Sequence, residues 1–164
     1  MNARLVVTTP SACEIHFTRD FAAPRGLVFD CVAKPEFVRQ WLLGPPGWSM
    51  PVCEIDFRVG GRFRYVWRNT DGRDMGMGGI YREIVRPERI VHTELFDDDW
   101  TGGETTVVTR FTERNGITTY ALTVRYASQA ARDGALGTGM TEGMDHGYDM
   151  LEQLLASLQA GAQR

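Results

Sequence analysis

Two periodicities divide this sequence. In its first part apolar and polar residues alternate. Cys13, Ile15 and Phe17 are set against Glu14, His16 and Thr18, the pattern of a strand with one wet face. Ala22–Ala23–Pro24 then turns the chain into a short helix with Val28, Phe29, Val32 and Ala33 on its apolar side, and Pro24 suits a first helical turn. Pro35 restarts a second short helix, whose inward positions are Phe37, Val38, Trp41 and Leu42. Gly44–Pro45–Pro46–Gly47 ends it, and Trp48 stands on the following loop.

Alternation then returns for five or six strands. Cys53, Ile55 and Phe57 are followed, after Gly60–Gly61, by Phe63, Tyr65 and Trp67 between Arg62, Arg64 and Arg68. Asn69–Thr70–Asp71–Gly72 predicts a hairpin turn, and Met75–Val85 a returning strand with a bulge at Gly78–Gly79. Arg89–Phe96 follows, then a wet loop from Asp97, and Thr105–Glu113 pairs through Asn115–Gly116 with Ile117–Ala127. Ser128–Gly137 carries the chain onward, with a helical turn expected at Gln129–Asp133.

From Thr138 to Gln159 the period becomes helical. Met140, Met144, Tyr148, Leu151, Leu154, Leu155 and Leu158 form one stripe, while Asp145, Asp149, Glu152 and Gln153 face water. Thr138 is the expected cap and Gly161 the expected stop. Tyr148 and Leu151 are expected to bury against strand residues such as Phe63, Tyr65, Leu122 and Val124. Gly139, Gly143 and Gly147 repeat every fourth residue inside this helix. Each interior glycine costs roughly 1 kcal/mol relative to alanine. Two readings stand: drift tolerated by a strong packed half, or a face thinned for a ligand or for close-packed strands. Strand, two short helices, a strand meander and a long helix make an α+β pattern. It predicts a curved antiparallel sheet of six or seven strands around the C-terminal helix. One domain over 1–164 is expected, with 1–12 a loosely ordered tail.

Composition narrows the function classes. Apolar residues make up 43% and charged ones 24%, with a net charge of −3, which disfavours nucleic acid as a partner. No apolar run reaches the eighteen or so residues of a membrane span, and Leu5–Val6–Val7 is too short for a signal-peptide core. Cys13, Cys31 and Cys53, odd in number and without paired spacing, are expected to be small buried apolar residues of a reduced, cytoplasmic compartment.

Several stretches resemble a known family. FVRQWLLGPPGWSMPVCEIDFRVGGRFRY, MGMGGIYREIVRPERIVHTE, Thr118–Tyr126 and ARDGALGTGMTEGMDHGYDMLEQLLASL are similar to homologues of the activator of heat-shock-protein-90 ATPase. The family lies in the helix-grip superfamily with START domains, the birch-pollen allergen and polyketide cyclases. The resemblance spans about Cys13 to Leu158. It implies a seven-stranded antiparallel sheet gripping the C-terminal helix with a cavity between them. It also brings an association with stress response. Activity does not follow from the fold. Eukaryotic activators of the family carry a further N-terminal domain that contributes heavily to chaperone binding, and none is expected within these 164 residues.

Chemical motifs are few. His16, His92 and His146 lack partners at metal-ligand spacing, and Val108 stands where a calcium loop beginning at Asp97 needs glutamate. Gly76–Gly79 opens no helix, so it cradles no phosphate, and no serine sits in a nucleophile elbow. No metal and no cofactor are expected. On the strand of His92 and Glu94 the favoured inward set is instead Val91, Thr93 and Leu95. What remains is an aromatic, methionine-rich interior, either core or pocket wall. The candidate ligand-binding residues are Trp41 and Trp48 near the mouth; Phe63, Tyr65, Trp67, Met77 and Tyr81 on the middle strands; Tyr120 and Leu122 on the last; and Met140, Gly143, Met144 and Tyr148 on the helix. The first reading is a binding protein for a lipid-like or polycyclic aromatic molecule. The alternatives are a co-chaperone-like surface regulator of a heat-shock ATPase, or a cyclase or hydrolase. Beyond a small molecule, the candidate partners are a second copy of the chain and a chaperone, with neither nucleic acid nor membrane.

Overall fold

A computed structural model describes residues 4–163; expectations touching residues 1–3 and 164 lie outside this range. The alternating segments form eight strands among the described residues: β1 (Val6–Thr8), β2 (Glu14–Phe21), β3 (Ser49–Ile55), β4 (Arg62–Arg68), β5 (Asp74–Val85), β6 (Arg89–Phe96), β7 (Thr105–Arg114) and β8 (Ile117–Arg125). They make one open antiparallel sheet in the order β1-β2-β8-β7-β6-β5-β4-β3. The α+β class is as expected, and the sheet has one strand more. Val6–Thr8, inside the stretch read as a tail, pairs with Thr18–His16 of β2 and forms an edge.

The turns follow their local chemistry. Asn69 Oδ1 accepts from the amides of Asp71 (3.0 Å) and Arg73 (2.9 Å), closing the β4–β5 hairpin as expected. Asn115 and Gly116, both at positive φ, form the tight turn between β7 and β8. The bulge expected at Gly78–Gly79 is displaced: those glycines pair in register with β4, and the shift lies between Tyr81 and Glu83. Gly79 answers to a different constraint. A Cβ there would meet the Thr93 carbonyl at 1.8 Å and the Phe63 ring at 2.7 Å, so the missing side chain is the space that ring occupies.

Four helices complete the fold: α1 (Arg25–Ala33), α2 (Pro35–Trp41), α3 (Gln129–Leu136) and α4 (Met140–Ala162). The turn expected at Gln129–Asp133 is a full helix, α3, capped by Ser128 Oγ, which accepts from the Ala131 amide at 3.0 Å. Thr138 therefore serves α3 and not α4. Its hydroxyl donates to the Ala135 carbonyl (2.6 Å), and α4 starts after Gly139 at φ +78°. Nor does Gly161 stop the helix. Gln159 ties the last turns down by donating to the Ala22 carbonyl at 3.0 Å, and the helix runs through Gly161.

The apolar stripe of α4 is buried where expected. Leu151 is 0% exposed, and Tyr148 and Leu155 are buried too. The rings around Tyr148, however, are Trp41, Phe21 and Tyr120. The wet face of α4 departs from expectation. Ile15, Phe17, Arg19 and Phe21 are the buried phase of β2, so alternation drives one arginine into the interior. Its guanidinium lies 2.8 Å from Asp149, 2.9 Å from Glu152 and 3.4 Å from Asp145. Three of the residues expected to meet only water thus surround a buried charge; Gln153 is exposed as expected. Among the cysteines Cys31 and Cys53 are buried and Cys13 half-buried. Among the described residues no helix is long and apolar enough to cross a membrane.

Candidate functional site

Strand parity determines which side chains meet α4. On β4 the buried phase is Phe63, Tyr65 and Trp67. Tyr65 pairs with Met77 of β5, and Tyr81 of β5 with His92 of β6. On β7 the inward phase is Thr105, Val107, Thr109 and Phe111, and on β8 it includes Tyr120, Leu122 and Val124. Between these strands and α4 lies a cavity of about 560 Å³. Trp41 and the loop from Leu42 to Pro45, with Trp48, close one side of it.

All thirteen residues singled out from the sequence line this one cavity: Trp41, Trp48, Phe63, Tyr65, Trp67, Met77, Tyr81, Tyr120, Leu122, Met140, Gly143, Met144 and Tyr148. The sequence reading missed Phe96, Trp100, Thr105 and Thr109, and left Tyr126 out of the candidate set. The alternation of Thr105, Val107, Thr109 and Phe111 was the available signal for the threonines. With these additions, every tyrosine of the chain (5) and every tryptophan (4) reaches the wall.

The expected parity of β6 is reversed. Ile90, His92, Glu94 and Phe96 face the cavity, and Leu95 is exposed on the opposite side of the sheet. Thr93 is buried on that far side, where its hydroxyl accepts from the Ile80 amide at 3.1 Å. His92 Nε2 lies 3.0 Å from Glu94 Oε2. His92 Nδ1 and Trp100 Nε1 are buried with no hydrogen-bond partner among the described residues. Two other indoles are tethered: Trp41 Nε1 donates to the Cys31 carbonyl (2.8 Å) and Trp67 Nε1 to the Leu42 carbonyl (2.7 Å).

The tyrosine hydroxyls titrate above their ordinary range. Burial is the main cause for all five, and the negative charge of Glu94 adds to it in each; Tyr126 is pushed up to about 12. At neutral pH the wall therefore presents neutral hydroxyls. Burial, reinforced by Asp30, pushes the Cys31 thiol up to about 12, and burial raises Cys53 as well, so neither is a ready nucleophile.

The glycine row of α4 has a neighbour other than the strands. A Cβ on Gly143 would meet Pro45 Cδ at 3.3 Å, and one on Gly147 the Trp41 carbonyl at 3.1 Å. The end of α2 and its following loop, with Gly44 and Gly47 at positive φ around Pro45–Pro46, rest on the thinned face. A second depression, about 630 Å³, lies open on the far side of the sheet. It is edged by Glu54, Asp56 and Glu104 among Arg62 and Arg64, and so presents a hydrated, mixed-charge surface.

An open antiparallel sheet closed over a C-terminal helix, with a cavity between, defines a protein of the helix-grip class. The family model described as Activator of Hsp90 ATPase homolog 1-like protein matches residues 22–156, and the chain belongs to that family. A Rhodobacter sphaeroides structure is 32% identical, covers 94% of this chain and 99% of its own, and superposes with a TM-score of 0.89. A Mycobacterium smegmatis protein is 26% identical, with 92% and 97% covered and a TM-score of 0.78. A Silicibacter pomeroyi protein of the same family name is 25% identical, with 87% and 97% covered and a TM-score of 0.71. Among curated proteins none matches this chain.

Proposed function

We propose that the protein binds a hydrophobic small molecule, lipid-like or polycyclic aromatic, between its sheet and α4. One observation carries this reading: a cavity of about 560 Å³ whose wall takes up every tyrosine and tryptophan of the chain. That volume lies in the range of ligand pockets, roughly 300–1,000 Å³, and an apolar wall with a few placed polar groups is their usual make-up. A regulator acting through its surface would need a contiguous apolar patch. Among the described residues the exposed large apolar side chains, Val6, Val59 and Leu95, are instead scattered over separate segments. Acid–base chemistry on the bound molecule is the second reading, favoured by the His92–Glu94 pair in the wall. A cytoplasmic site of action goes with either reading and rests on the unpaired cysteines.

A thermal-shift screen of neutral lipids, fatty acids, alkyl- and arylammonium ions, flavonoids and polycyclic aromatics tests the proposal. A binder at a hundred times its dissociation constant stabilises the fold by about 2.7 kcal/mol. Met144→Trp, which narrows the cavity at its α4 wall, should weaken the shift. Absence of any shift across the library, or a shift unchanged in Met144→Trp, would overturn the reading.

A further inference from the structure

The charge make-up of the cavity narrows the class of molecule it takes; this inference rests on the reading of the cavity as a ligand site. Among the described side chains lining it Glu94 is the single carboxylate, and they include no lysine or arginine. A bare carboxylate in an apolar wall is costly unless something partners it. His92 supplies one contact, Nε2 to Oε2 at 3.0 Å. A carboxylate only accepts, so in the neutral ring that nitrogen carries the proton and Nδ1 is left as an acceptor. Nδ1 is buried and unpartnered. Among the described residues no side chain donates to the second oxygen of Glu94. The donors of the wall are neutral tyrosine, threonine and indole groups, and among the described residues no lysine or arginine balances Glu94.

The wall around it supplies the complementary half. Aromatic faces attract cations through their quadrupole, tryptophan most strongly, and nine Tyr and Trp side chains converge here. The field of Glu94 extends through the chamber, adding to burial in keeping all five tyrosine hydroxyls protonated. A carboxylate ligand such as a fatty acid would meet that field with no lysine or arginine among the described lining residues to answer it. Trp100 Nε1 is an unpartnered donor, but neutral N–H and O–H donors do not offset a full like charge. We propose that the cavity takes a hydrophobic organic cation, an ammonium group on an alkyl or polycyclic aryl body, with Glu94 as its counter-ion and His92 holding that carboxylate in place.

Matched ligands test this by isothermal calorimetry on the intact chain: decylammonium, decanol and decanoate, and in parallel naphthylmethylammonium, naphthylmethanol and naphthoate. The ammonium member should bind at least about tenfold tighter than the alcohol, the carboxylate weakest of all. Glu94→Gln should remove the advantage of the ammonium and relieve the penalty on the carboxylate. An alcohol or carboxylate that binds as tightly as the ammonium overturns the proposal and leaves the cavity reading standing. So does a preference unchanged in a folded Glu94→Gln variant. If no member of either set binds the wild-type chain, the cavity reading falls and this proposal with it. Should Glu94→Gln fail to fold, the wild-type ranking decides alone.

Discussion

Arg19 has a fully buried side chain, whereas its partners Asp145, Asp149 and Glu152 are 50%, 55% and 29% exposed. That asymmetry sets what each substitution does. Removing one carboxylate leaves two on the guanidinium, so Asp149→Asn should cost less than about 1 kcal/mol, as for other half-exposed ion pairs. Arg19→Ala opens a void and leaves three like charges on one helix face; a loss of roughly 3 kcal/mol is expected. Urea denaturation of the two variants checks the ranking, and equal losses would contradict it. The alternation read over Cys13–Thr18 stops one residue short of Arg19; carried on, it places Arg19 in the buried phase of β2. Its partners lie 126 or more residues away, which no local pattern reveals. The parity of β6 failed for a related reason: both phases carry buried residues, because Thr93 is held on the far face by the Ile80 amide.

At the scale of elements, α4 is where helical periodicity was most legible and its ends least so. The stripe from Met140 to Leu158 is long enough to average out exceptions. Each boundary instead depends on one hydrogen bond, such as Thr138 turning back to α3. The glycine row was visible, but its purpose was not, since the α2 end and its loop arrive from a hundred residues earlier in the chain. Their contacts give the two glycines different weights. The Trp41 carbonyl opposite Gly147 belongs to a buried residue whose indole is pinned to Cys31. A methyl there has nowhere to go, and Gly147→Ala should cost roughly 1–3 kcal/mol. Opposite Gly143 stands Pro45, on the loop after α2, at 3.3 Å, so that loop must yield a few tenths of an ångström. Its strain should roughly cancel the helical gain of alanine, leaving Gly143→Ala within about 1 kcal/mol of wild type. Melting of the two variants in parallel checks this, and Gly143→Ala as the more damaging would contradict it.

Across the whole molecule, five tyrosines converge from β4, β5, β8, the segment after it and α4, so their titration is a property of the fold. In the unfolded chain they ionise near pH 10; in the folded chain burial and Glu94 raise every one. A raised folded value means stability that is fully present below about pH 10 and is lost as pH climbs toward the folded values. The urea midpoint should fall steadily above pH 10, with tyrosinate absorbance appearing together with unfolding. Tyrosines that titrate near pH 10 in a chain still folded would contradict this. The antiparallel meander and the long helix were legible from order and period alone, because neighbouring strands pair through short turns. The pairing of β2 with β8 joins segments about a hundred residues apart; the resemblance implied an antiparallel sheet but not this pairing. The convergence of tryptophans has an optical consequence. The chain has no tryptophan outside the chamber wall, so its intrinsic fluorescence is the fluorescence of that wall, undiluted. Trp41 and Trp67 are tethered, whereas Trp100 and Trp48 have no indole hydrogen bond among the described residues and are the emitters most open to change. Filling the chamber should move the emission to shorter wavelength as water leaves the indoles. A tight-binding molecule that left the emission spectrum untouched would be bound elsewhere on the protein.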